Sequence, residues 1–213
     1  LLLPEAYQVL RAYGIPVADY QVIFQKEELR KALGQIEGPV ALKIISPKIS
    51  HKSDVGGVIL NIHDLPEAEG AYERIQKLMD GDSSGILVQK MVSEGKEVIL
   101  GGKRDPSFGP VVLFGLGGIY VEVFKETSLR VAPINRSEAE EMISELKTST
   151  ILKGIRGERP VDRNVLIESL LRLSQLMLDF PEIEGIDINP VKVLEKGAIA
   201  VDARIVLSRE QSA

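Results

Sequence analysis

Two hydrophobic rhythms divide the chain. Up to Gln89, short apolar runs alternate with stretches of helical spacing; beyond Gly95, β-rich runs follow one another closely before helical spacing returns. Ala6, Val9, Leu10 and Tyr13 predict a helix over Glu5–Tyr13, with Pro4 suited to its first turn and Gly14 and Pro16 stopping it. Tyr20–Phe24 reads as a strand, and Lys26–Leu33 as a helix ended by Gly34. Pro39–Ile45 and Gly57–Ile62 read as two further strands around a polar loop. Asp64 is placed to cap a helix over Leu65–Met79, with Glu67 at capping-box distance. A turn at Gly81–Gly85 leads into a strand at Ile86–Gln89. Tyr20–Gln89 is therefore expected to be one α+β unit, and Lys90–Gly95 a short polar hinge.

After the hinge, Lys96–Lys103, Val111–Phe114, Tyr120–Phe124 and Ser128–Pro133 are strands too close in sequence for crossovers, which implies antiparallel pairing. Arg104–Pro110 turns between the first two, and Gly115-Leu116-Gly117-Gly118 interrupts the next connection. Helices are expected at Ser137–Leu146, with Ser137 and Glu140 at capping-box spacing, briefly at Thr148–Lys153, and over the long amphipathic stretch Arg163–Asp179. Ile183–Leu194, a turn at Glu195-Lys196-Gly197 and Ala198–Ile205 read as a final hairpin. No internal repeat is visible.

Composition narrows the functions. A chain of 213 residues can bury a sizeable core. Its net charge of −5 and absence of Trp give no footprint for nucleic acid. With no Cys, disulfides, thiolate metal sites and cysteine nucleophiles are excluded, which fits a reducing compartment such as the cytoplasm. Leu1-Leu2-Leu3 gives way to Pro4-Glu5, too short for a signal core or a membrane span. No G-x-x-x-x-G-K-[ST] and no G-x-S-x-G occur, Gly115–Gly118 does not complete G-x-G-x-x-G, and His51 and His63 are too isolated for zinc.

Two constellations carry candidate chemistry. In Ala41–Ile62, Lys43 is the one charge in an apolar strand, and a lysine so placed is expected to face an anion. The following loop holds His51 and Asp54-Val55-Gly56-Gly57, where glycines let backbone N–H groups approach a ligand. The bland alternative is an exposed hairpin with a snorkelling lysine. In the final hairpin, Asp187 and Asn189 leave the same face of a strand and Asp202 stands on the partner strand. Oxygen donors without Cys or His suit Mg²⁺ with water and phosphate oxygens in its shell; a polar sheet face with an Asn-Pro turn is the alternative. Arg130 and Glu122 read as ordinary cross-strand partners.

YGIPV at Tyr13–Val17, ALKIISPKISHKSDVGGV at Ala41–Val58, FGLGGIYVEV at Phe114–Val123, GIDINPV at Gly185–Val191 and VDARI at Val201–Ile205 together resemble one family. The chain resembles the ATP-grasp β subunit of ADP-forming acetyl-CoA synthetase, the NDP-forming acyl-CoA synthetases, related to the succinyl-CoA synthetase β subunit. The resemblance implies an α+β ATP-grasp fold with two α+β subdomains clamping nucleotide: an N-terminal helix at 1–16, a lid at 17–91 and a body at 92–213. It implies that Gln89, Lys90 and Val92 meet adenine through backbone groups and that Glu97 reaches the ribose. Lys43 would contact the α- and β-phosphates, Gly56 and Gly57 would cover them, and Asn189 and Asp202 would bind Mg²⁺. His51 would relay a phosphoryl group between a phosphohistidine of the α subunit and ADP, with Asp187 orienting or stabilising it. The chain has no CoA-binding or ligase domain, so the resemblance implies a separate α subunit, in an α₂β₂ assembly. Two other readings stay open: a non-catalytic nucleotide-sensing module, and another ATP-grasp ligase working through acyl-phosphate without phosphohistidine.

Overall fold

The computed structural model describes residues 1–49, 52–79, 85–118, 126–154 and 158–208. The expected strand at Tyr120–Phe124, Glu122, His51 and most of the Gly81–Gly85 turn lie outside the described residues. The chain divides into two units, Ala18–Ser93 and Leu3–Val17 with Glu94–Ala213.

In the first unit, β1 (Tyr20–Ile23), β2 (Val40–Ile44), β3 (Val58–Ile62) and β4 (Ile86–Lys90) form an antiparallel sheet in the order β1-β4-β2-β3. Leu42, Ile44, Ile86 and Val88 share one core with Leu29 and Ala32 of α2 (Leu29–Gln35) and Ala71 and Ile75 of α3 (Leu65–Gln76). Strand alternation sends Ala41, Lys43, Leu87 and Gln89 to the opposite face. Lys26–Glu28 is a 3₁₀ turn, and the helix after it runs through Gly34 instead of stopping there. Gly38, at φ +87°, takes the turn into β2. Asp64 accepts from the Glu67 amide at 2.9 Å, but the Glu67 carboxylate returns to the His63 amide, one residue before the expected reciprocal donor.

In the second unit, the described strands pair in the order β10-β8-β5-β6-β7, with β9 also on β8. They are β5 (Lys96–Asp105), β6 (Gly109–Leu116), β7 (Thr127–Val131), β8 (Ile183–Val193), β9 (Ala198–Ala200) and β10 (Arg204–Leu207). β6 is longer than expected and absorbs Gly115 and Leu116. One face packs on α5 (Arg163–Asp179), whose buried stripe includes Leu166, Leu170, Leu173 and Met177. Gly102 is where this packing is tightest: a Cβ there would come within 2.7 Å of Met177 Sδ. Arg104 donates to the carbonyls of Met177 and Ile183, closing the end of α5 onto the sheet.

The helix α4 (Arg136–Ser144) is capped by Asn135, not Ser137: Asn135 accepts from the Glu138 amide and Glu138 answers to the Asn135 amide. Both candidate pairs have the right spacing, and the upstream one forms because the chain is extended at Asn135 and already helical at Ser137. Arg130 pairs with Glu145 at 2.8 Å, beyond the end of α4, while Glu122 lies outside the described residues. The α1 helix (Leu3–Ala12) buries Ala6, Tyr7 and Leu10 in this unit. Among the described residues, no helix is long and apolar enough to cross a membrane.

Asp162 ties α5 to the last hairpin. Its carboxylate accepts from the Val165 amide at 3.2 Å and the Gly197 amide at 2.9 Å. The Gly197 amide, then the other backbone donors, hold its pKa below the ordinary carboxylate value against the opposing effect of burial. A depressed folded pKa stabilises above the unfolded value, near 3.9, and that contribution is lost as pH falls through the folded one. Asp162→Ala is therefore expected to cost about 1 kcal/mol or more at pH 7 in urea unfolding. Asp162→Asn should retain part of the cap yet lose less stability than the native chain between pH 5 and pH 2.

Candidate functional site

The candidate groups fall into two sets, one in each unit. In the first unit, Lys43 sits at the centre of the sheet and is only 3% exposed. Its register partners are Val58 on β3 and Leu87 on β4. Gln89 lies on the same face, one alternation further along β4, paired with Ala41 and with Tyr20. Lys90 and Val92 follow at the strand's end, half-buried.

The backbone N–H groups in this region are largely spoken for. Lys90 donates to the Asp19 carbonyl at 2.8 Å and Met91 to the Pro39 carbonyl at 2.9 Å. The expected glycine cradle needs the same correction. Gly56 N–H donates to Ser53 and Gly57 N–H to Lys52, so in this conformation neither amide points at a ligand. The glycines answer to shape instead. Gly56 has φ +74°, and a Cβ on Gly57 would strike Ile44 Cγ2 at 2.6 Å. The loop closes against β2 through Ile44 N–H on the Gly57 carbonyl at 2.8 Å.

In the second unit, the sheet face opposite α5 forms a concave surface of about 780 Å³. Ile99, Val111, Leu113 and Leu129 make its apolar floor, while Lys103, Asp187 and Asn189 supply polar groups. Asp187 and Asn189 thus reach the same depression. Asp202 is not on a continuous strand as expected. The last strand breaks into β9 and β10, and Val201–Ala203 swings out between them, opposite Asn189-Pro190.

That excursion is held on several sides. Asn189 N–H donates to the Asp202 carbonyl at 3.2 Å and Val201 N–H to the Pro190 carbonyl at 2.9 Å. The buried Tyr7 hydroxyl donates to the Val201 carbonyl at 2.5 Å, and Ala203 N–H donates to Asp202 Oδ1 at 2.8 Å. The register carries through the break, so Asp202 stands across from Asn189, close enough for its charge to act on Asp187. Although its side chain is solvent-exposed, partial desolvation in the depression pushes the Asp187 carboxyl above its ordinary value, the Asp202 charge pushes it further, and Arg204, its register partner on β10, pulls it back.

Two carboxylates that repel one another, beside an amide oxygen, are a hard-cation donor set. Among the described residues, no three His, Cys, Asp or Glu side chains gather to cage a metal. The set therefore fits an ion that keeps waters or phosphate oxygens for its remaining positions, as Mg²⁺ does.

Glu97 lies elsewhere on the same sheet. It stands directly opposite Lys192 in the β5–β8 register, with Lys192 Nζ 2.9 Å from Glu97 Oε1. Lys192, Arg204 and Tyr7 are additions that sequence reasoning missed. Lys192 had a usable signal, the single charge in Val191-Lys192-Val193, the same pattern that singled out Lys43. Tyr7 had none, since it reads as one more apolar position of α1.

The model of the ATP-grasp domain matches residues 1–207. The chain belongs to the ATP-grasp family. Its relatives include ADP-forming acetate–CoA ligases. It is 48% identical over 212 residues to the acetate–CoA ligase [ADP-forming] I subunit beta of Pyrococcus furiosus, spanning 97% of this chain and 91% of that one. It is 49% identical over 211 residues to acetate–CoA ligase [ADP-forming] I of Archaeoglobus fulgidus, spanning 97% of this chain but 31%, about a third, of that longer protein. Its fold superposes with TM-score 0.84 and 42% identity on an acetyl-coenzyme A synthetase 1 of Ca. Korarchaeum cryptofilum, covering 98% of this chain and 92% of that one. That structure was determined with coenzyme A and Mg-AMPPCP, its phosphohistidine segment pointing towards the nucleotide-binding site. The ATP-grasp family and the α+β fold read from the sequence motifs are those found.

The raised Asp187 pKa has a stability consequence with a definite sign. The folded chain holds that proton more tightly than the unfolded one, so its contribution is complete below about pH 3.9 and is lost as pH rises through the folded value. Asp187→Asn is accordingly expected to raise the melting temperature in EDTA at pH 7, with the gain disappearing below about pH 4. The same substitution should reduce the further rise produced by Mg²⁺ with ADP. Differential scanning calorimetry across pH, with and without Mg²⁺, checks both.

Proposed function

We propose that the chain is the nucleotide-binding β subunit of an ADP-forming acetyl- or acyl-CoA synthetase, working with a separate α subunit that handles CoA and the acyl group. The supporting observation is the register of the last hairpin, which sets Asp202 across from Asn189 and next to the Asp187–Arg204 pair, in a chain 48% identical to a ligase β subunit. The balanced reaction is acetyl-CoA + ADP + phosphate ⇌ acetate + CoA + ATP. Phosphate displaces CoA from the acyl group, the acyl-phosphate phosphorylates a histidine of the α subunit, and His51 carries that phosphoryl group to the terminal oxygen of ADP. Neutral imidazole suits the relay, because it is nucleophilic near pH 7 and its phosphoramidate readily gives up the phosphoryl group. Asp187 stabilises the incoming phosphohistidine.

In this reading Lys43 takes the α- and β-phosphates. Its charge does the work that Gly56 and Gly57, their amides engaged within the loop, do not do in this conformation. Gln89, Lys90 and Val92 read adenine by backbone groups. With the Lys90 and Met91 amides already donated, that edge offers carbonyl acceptors and the Val92 amide. Glu97 takes the ribose hydroxyls. Asn189 and Asp202 hold Mg²⁺, which when bound offsets the negative charge of the phosphates during transfer. A cytoplasmic α₂β₂ assembly completes the reading.

The test mixes this chain with the α subunit of an acetate–CoA ligase, Mg²⁺, acetyl-CoA and radiolabelled phosphate, without ADP. Acid-labile, alkali-stable label on His51, discharged as ATP when ADP is added, is the expected result. ATP formed without label on this chain would sink the His51 relay and favour a ligase working through acyl-phosphate alone. Neither label nor ATP, with the α subunit competent beside another β chain, would indicate a nucleotide-sensing module. His51→Ala should abolish transfer and leave Mg-ADP affinity within twofold. Asp202→Ala should weaken that affinity about 10- to 100-fold by titration calorimetry, the scale of one lost charge-assisted contact.

A further inference from the structure

We propose that Lys192 is a positioning residue for nucleotide binding, fixing the Glu97 carboxylate in the orientation that takes both ribose hydroxyls. The proposal rests on the reading of Glu97 as the ribose-binding group.

Glu97 and Lys192 are direct register partners on β5 and β8, and Nζ meets Oε1 at 2.9 Å. Their side chains are 33% and 17% exposed, so the pair is screened less than a surface ion pair and is anchored at both backbones. The far side of Glu97 is closed by glycines. Gly117 N–H donates to the Glu97 carbonyl at 2.7 Å, a Cβ on Gly117 would lie 2.9 Å from Glu97 Cβ, and one on Gly118 would lie 2.8 Å from Oε2. One carboxylate oxygen is therefore held by an ammonium, and the other lies against a residue that has to lack a side chain.

This arrangement suits a vicinal diol. A glutamate has three side-chain torsions, and binding two hydroxyls at once with a freely rotating carboxylate would forfeit the entropy of ordering it. The ammonium and the glycine contact remove that freedom in advance. The Gly115–Gly118 run, which completes no dinucleotide fingerprint, acquires a reason here: its last two glycines let the chain close on Glu97.

The experiment compares ADP with 2′,3′-dideoxy-ADP, each with Mg²⁺, by titration calorimetry on the full chain and on Glu97→Gln, Lys192→Met and Lys192→Arg. The native chain is expected to prefer ADP by about tenfold or more, the scale of hydrogen bonds to a charged group. Glu97→Gln should lose most of that preference. Lys192→Met should reduce it at least fivefold while binding dideoxy-ADP within twofold of the native chain, and Lys192→Arg should restore it. Lack of preference in the native chain, or its full retention in Glu97→Gln, removes the ribose reading and the proposal with it. A native preference that Glu97→Gln loses and Lys192→Met keeps overturns the positioning role alone. Equal weakening of both nucleotides in Lys192→Met also overturns it, because a phosphate contact or a purely structural lysine would act that way.

Discussion

The register of β8 is the constraint on which the second unit depends. This strand pairs with β5 on one side and with β9 and β10 on the other, so it fixes two sets of partners at once. Side chains alternate across a sheet, and a slip of one residue would turn Asp187 inward and present Ile186 or Ile188 to solvent. Ile188, fully buried, and Met177 beneath Gly102 exclude that slip through packing. The polar groups on the open face are therefore located by the apolar groups on the covered one. The same register sets Lys192 opposite Glu97 and Arg204 opposite Asp187.

Within that frame, the Asp187–Asp202 pair works against the fold. The register of the hairpin carries through the break at Val201–Ala203, so Asp202 stands across from Asn189, near its like-charged neighbour. The groups that hold the break, Tyr7 from α1 and the backbone bonds of Asn189 and Val201, come from well-packed parts of the unit. Stability supplied by the core thus offsets a local repulsion between carboxylates.

Much of the fold could be read from the chain because its strongest signals are long and periodic. Arg163–Asp179 is a helix with the expected bounds, and the runs at Tyr20, Ile86 and Lys96 open strands where their β-rich composition says they should. The discrepancies have specific causes. Gly34 stays inside α2 because tertiary packing of Leu29 and Ala32 outweighs one unfavourable residue. Ser137 lost the cap to Asn135, a competition between two equally spaced pairs that only the path of the preceding chain decides. The break between β9 and β10 was invisible because Val201-Asp202-Ala203 carries neither Gly nor Pro; its cause lies across the sheet, in Asn189-Pro190 and the Tyr7 hydroxyl. Candidate residues with charge in apolar surroundings were legible one by one. What the sequence could not show was which amides were already engaged, and the Gly56–Gly57 loop is the instance where that changes the chemistry.

Lys43 and Lys192 make the final distinction. Both are single charges in apolar strands, Leu42-Lys43-Ile44 and Val191-Lys192-Val193, and by pattern alone they are the same feature. Burial and register separate them. Lys43 is at the centre of its sheet and nearly inaccessible, with Val58 and Leu87 as its strand partners, so any charge interaction it makes is weakly screened. Lys192 meets a carboxylate within its own sheet, so much of its charge is answered before any ligand arrives. The two lysines thus differ in burial and in the residue that stands across from each.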